Sequence, residues 1–90
     1  VAQPHQQIDA AAQGRPDDAL RFAARAVSSA ERTDSPVAHA VARLDQAHTL
    51  RLLGLDDRAR SAASAARELF AAKGHLPGER WAASLLHERE

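Results

Sequence analysis

The sequence predicts an all-α fold of four to five antiparallel helices. Three observations carry that prediction. Apolar residues recur at helical spacing through three long stretches. Glycines and a Ser-Pro pair break the chain between those stretches. No stretch alternates apolar and polar residues as a half-buried strand would, and β-branched residues are few.

The elements follow in order. Residues 3–13 can form a first helix that ends at Gly14, with Ile8, Ala10, Ala11 and Ala12 as its buried groups. From residue 16 to 33, Ala19, Leu20, Ala23, Ala26, Val27 and Ala30 form the stripe of a second, amphipathic helix. Pro16 suits its first turn, where a missing N–H is no loss. Asp17 and Asp18 lie at the positive end of its macrodipole and Arg32 at the negative end. Ser35 and Pro36 are an N-cap and an N1 residue for a third helix. Its expected buried stripe is Val37, Val41, Leu44, Ala47, Leu50 and Leu53, and Gly54 ends it through a left-handed residue. The fourth helix starts near Asp56, buries Ala59, Ala62, Ala63, Ala66, Leu69 and Phe70, and stops at Lys73 and Gly74. A last helix is expected from about Pro77 towards His87, with Trp81, Ala82, Leu85 and Leu86 on its apolar face. Asp17 with Arg21, and Asp56 with Arg60, have the spacing of helical ion pairs, each worth about 0.3 kcal/mol.

One pattern recurs. Gly14, Asp17, Ala19, Ala23 and Ala26 return forty residues later as Gly54, Asp57, Ala59, Ala63 and Ala66, while most residues between them differ. The glycine turns the chain, the acidic residues start the next helix, and the alanines form a smooth stripe that a neighbouring helix can approach. A helical hairpin with a close seam, used twice, is the unit of an α-solenoid. The chain is expected to be a single domain over residues 1–90. Repeat 1 spans about 4–33, repeat 2 about 35–73, and a capping helix about 77–88. The lack of an initiator Met suggests a piece of a longer protein.

Composition excludes several classes of function. Twelve basic and twelve acidic residues give zero formal charge, which argues against a polyanion binder held by counterion release. Eleven of the basic residues are Arg and only Lys73 is Lys, a bias that fits GC-rich coding. The absence of Cys removes disulfides and thiolate metal sites. No apolar run reaches the roughly 18 residues of a membrane span, and the start lacks the features of a signal peptide.

The turn glycines Gly14 and Gly54, with Ala19/Ala59 and Ala26/Ala66, resemble the turn glycine and helix B alanines of tetratricopeptide repeats (TPR). Ala47 and Leu50 match that family's helix A small residue and the large apolar residue three later. The stretch RLLGLDDRARSAASAARELFAAKGHLPGERWAASLL looks like the degenerate repeats of bacterial transcription regulators and signalling ATPases. The resemblance implies a cytoplasmic, regulatory protein-interaction module whose concave face takes peptides. Carried over residue by residue, the groove positions are Ile8, Val41, Leu44, His48, Arg51, Leu52, Trp81 and Ser84. Members that clamp a C-terminal carboxylate use Lys and Asn where this chain has Leu44 and His48, so that clamp is missing, and Arg51 remains as the anion contact.

The remaining constellations have plainer explanations. His5, His39, His48, His75 and His87 contain no metal-binding spacing, and His39 and His48 point to opposite sides of one predicted helix. Asp17/Asp18 and Asp56/Asp57 sit at helix starts, where the dipole explains them without catalysis. Arg21, Arg25 and Arg32 are interleaved with acids, which makes a solvated mixed-charge face. No enzyme, no metal and no cofactor is expected. The partner is expected to be a protein or peptide, with direct nucleic-acid binding disfavoured. A structural spacer or self-association domain is the alternative, with weak pairing of copies through the N-terminal helices, whose apolar end has little to cover it.

Overall fold

The computed structural model describes residues 10–87, and among them the chain is helical with no strand. The helices are α1, of which residues 10–12 are described, α2 (Pro16–Glu31), α3 (Pro36–Leu52), α4 (Asp56–Ala72) and α5 (Leu76–His87). Helix starts at 16, 36, 56 and 76 are spaced by 20 residues, so the forty-residue repeat divides into equal halves. Each helix from α2 onwards packs on the next, and α3 also touches α5.

Three of the four connections are the same corner. Gly14, Gly54 and Gly74 have φ of 74°, 78° and 66°. At the end of α3, the Gly54 N–H donates to the Arg51 carbonyl (3.0 Å) and the Leu55 N–H to the Leu50 carbonyl (2.9 Å). This Schellman pair satisfies carbonyls that the helix end would leave open. Leu55 then caps α4, because its own carbonyl accepts from the Ala59 N–H at 2.9 Å. Arg15 after Gly14 and His75 after Gly74 repeat both roles. One residue thus closes one helix and opens the next, which leaves no slack in the turn.

The corner between α2 and α3 has no glycine and uses hydroxyls instead. Thr33 Oγ1 donates to the Ala30 carbonyl (2.8 Å), and Ser35 Oγ accepts from the Ala38 N–H (3.1 Å). Ser35 and Pro36 therefore act as the N-cap and first-turn residues that the sequence predicts.

The core is made mostly of alanine. Ala40 of α3, Ala66 of α4 and Ala82 of α5 are all fully buried around the ring of Phe70, which is itself 0% exposed. A β-carbon at Gly78 would overlap that ring, so α5 meets α4 through a residue with no side chain. The His75 ring lies 5.3 Å from Phe70, and its Nδ1 accepts from the Gly78 N–H at 3.0 Å, capping α5. A neighbouring cluster joins Ala47 and Leu50 to Ala59, Ala62 and Ala63. A third packs Ala10, Ala11 and Ala19 with Phe22 and Leu53. Of the groups expected to be buried in the first helix, Ala10 and Ala11 are buried and Ala12 is exposed.

Three sequence expectations are corrected. Val41 is 38% exposed, whereas Ala40, Ala42 and Thr49 are buried. A single stripe fails for α3 because it packs against α2, α4 and α5 and must bury more than one face. Thr49 tolerates burial because its hydroxyl donates to the Asp45 carbonyl at 3.0 Å. Trp81 is 60% exposed, since Gly78 and Ala82 form the contact face of α5 and Trp81 lies on the flank of that face. Arg21 pairs with Asp18 (3.8 Å), which also meets Arg15 (3.7 Å), so the spacing is three residues and not the four expected for Asp17.

Two substitutions test this packing. Ala66→Leu should overpack the seam at Phe70 and cost about 1–3 kcal/mol in urea unfolding; a change under about 0.5 kcal/mol would place Ala66 on an exposed face. Gly54→Ala meets no atoms, so its cost should be the backbone penalty of a left-handed residue alone, about 1–2 kcal/mol. An unchanged denaturation midpoint would mean that the corner leaves the left-handed region.

Candidate functional site: a groove between α3 and α5

The groove arises from helix spacing. On α3, Val41, Leu44, His48 and Leu52 follow at intervals of three and four, which lays them along one face. On α5, Trp81, Ser84 and Leu85 do the same. Phe70 holds Ala40 and Ala82 together behind these faces, and the side chains in front of that contact line a trough. The trough has a volume of about 360 Å³ and is lined by Leu44, Asp45, His48, Trp81, Ser84 and Leu85.

Four of the residues predicted for a binding groove therefore come together: Leu44, His48, Trp81 and Ser84. Leu44 is half-buried and packs on the Phe70 cluster, so it forms floor more than rim. His48 and Ser84 are exposed at the sides. Val41 and Leu52, 38% and 48% exposed, extend the same face of α3 beyond the trough without lining it. Arg51 is half-buried, already engaged within the chain, and not among the lining residues. Ile8 lies outside the described residues.

Two lining residues escape the sequence reading. Leu85 reads as core because it falls on the apolar side of α5, yet it is half-buried with one edge in the trough. Asp45 follows Leu44 and precedes His48 by three, a spacing that would bring it to the same rim.

The chemistry of this lining is that of recognition. Trp81 offers a broad exposed ring, Leu44 and Leu85 an apolar floor, and Asp45, His48 and Ser84 a polar border. That combination can seat one or two apolar side chains and hydrogen-bond the backbone beside them. Among the described residues, no three His, Cys, Asp or Glu side chains gather as a metal site would require. No described helix is long and apolar enough to cross a membrane.

No protein-family model matches this chain, and the comparisons with curated proteins and with solved structures return no match either.

Proposed function

We propose that this chain is a protein-interaction module, a TPR-like stack of helical hairpins, whose groove between α3 and α5 receives a peptide or a segment of a neighbouring domain. The observation that carries this reading is the exposed Trp81 beside an apolar floor. Interface hot spots are rich in Trp and sit over well-packed pockets, and Trp81 stands on a helix anchored by Phe70. The site does no chemistry of its own and acts by holding its partner in place. The three-residue glycine corners and the forty-residue repeat support the hairpin arrangement. The likeness of residues 51–86 to degenerate repeats supports a place within a larger, cytoplasmic bacterial regulator.

Trp81 is also the only tryptophan, so the site reports on itself. Peptides selected from a display library should blue-shift its emission on binding. Trp81→Ala should weaken them at least tenfold, as expected for a hot spot worth about 2 kcal/mol. The unfolding midpoint should stay within a few degrees, because the ring is mostly outside the core. Selected peptides that bind Trp81→Ala as tightly as the unaltered chain would refute the groove. A blue shift that grows with protein concentration alone would favour self-association over peptide capture.

A further inference from the structure

A second concavity lies between α3 and α4 and shares no residue with the trough. Its floor is Leu50 and Ala62, both buried. Its rim carries Arg43 and Gln46 from α3 and Arg58 and Ser61 from α4, around a volume of about 270 Å³. Each of the four can donate a hydrogen bond, two are permanent cations, and no carboxylate lines the site. Asp56 and Asp57 precede Arg58 on α4 but stay outside the lining.

The donors are partly set in place. Arg43 Nη1 donates to Gln46 Oε1 at 3.3 Å, and Arg43 Nη2 lies 3.7 Å from Glu31 Oε1 on α2. Arg43 is thus braced from two sides while retaining further N–H groups. With Oε1 engaged, Gln46 presents its amide nitrogen as a donor. Arg58 and Ser61 make no side-chain hydrogen bond or ion pair among the described residues. Arg58 also stands in the first turn of α4, where the helix dipole adds positive potential.

We infer that this site binds the dianionic head of a phosphate monoester. Two guanidinium groups, the Arg43 one shared with Glu31 and the Arg58 one not, attract a phosphate near neutral pH, and Arg binds phosphate in forked geometry. A carboxylate, with one charge, would draw less on this pair of cations than a dianionic phosphate does. The Leu50 and Ala62 floor leaves apolar space for the first carbons of the ester. The phosphate could come from a phosphorylated side chain or from a small metabolite, and the chemistry is the same for both. The site does not depend on the groove at Trp81, so either can stand without the other.

The probe is inorganic phosphate, added to 15N-labelled protein against sodium chloride at matched ionic strength. Saturable amide shifts should centre on residues 43–50 and 58–62. Arg58→Gln should weaken that binding at least about fivefold, the loss of one charge-assisted contact at an open site. Arg58 is exposed, and an otherwise unchanged amide spectrum would show that the variant folds. Arg43→Gln, which leaves Arg58 in place, should weaken binding similarly. Tighter binding of O-phosphoserine than of glycerol 3-phosphate would assign the site to a phosphorylated protein, and the reverse to a small metabolite. Shifts that fail to saturate, that chloride reproduces, or that Arg58→Gln leaves unchanged would overturn the proposal.

Discussion

The ring of Phe70 and the small residues that make room for it are what the rest of the structure depends on. Phe70 reaches from α4 into a space bounded by Ala40 on α3 and Ala82 on α5, and the missing side chain of Gly78 admits it. With aromatic residues so scarce, one ring supplies much of the large-area burial in this part of the fold. Alanines contribute little area each, so they stabilise chiefly by letting backbones come close and exchange many weak contacts. The ring also decides where Trp81 stands. A helix held through Gly78 and Ala82 carries Trp81 on the flank of that contact, where it borders the trough with α3.

The corners impose the second constraint. Where Gly14, Gly54 and Gly74 turn the chain, one residue ends a helix and caps the next, so the length of each helix sets its register on its neighbour. Helix starts spaced by 20 residues keep that register nearly constant from one element to the next. The Thr33 and Ser35 hydroxyls reach a similar result between α2 and α3 without a left-handed residue. This division explains why glycines and alanines recur along the chain while their neighbours vary.

Features that depend on neighbours in sequence were legible. The glycine corners, the Ser35 cap, and the stripe of Ala59, Ala62, Ala63, Ala66 and Phe70, with Leu69 half-buried, follow from local spacing. Features that depend on a third helix were not. Val41 and Ala40 exchange roles because α3 has three described partners, and periodicity assumes one buried face. Nothing near Gly78 in sequence accounts for a glycine inside α5, and only the position of Phe70 explains it. The same limit applies to the trough. Leu44, His48, Trp81 and Ser84 were named from the sequence, and Asp45 has the spacing to join them, whereas Leu85 joins them only once α3 and α5 are set side by side. The donors between α3 and α4 left no linear signature, because Arg43 and Arg58 lie on different helices.

If α5 is seated by the fit between Phe70 and Gly78, the two positions must be energetically coupled, and a double-mutant cycle in chemical denaturation measures that coupling. Gly78→Ala alone should destabilise the fold even though alanine favours a helix by about 1 kcal/mol over glycine. Phe70→Leu alone should also destabilise it, by leaving space at the seam. In the double variant the new methyl group occupies part of the vacated space, so the combined loss should fall short of the sum by at least about 1 kcal/mol. Losses that add to within about 0.5 kcal/mol would contradict the account, since residues that do not share a contact behave that way.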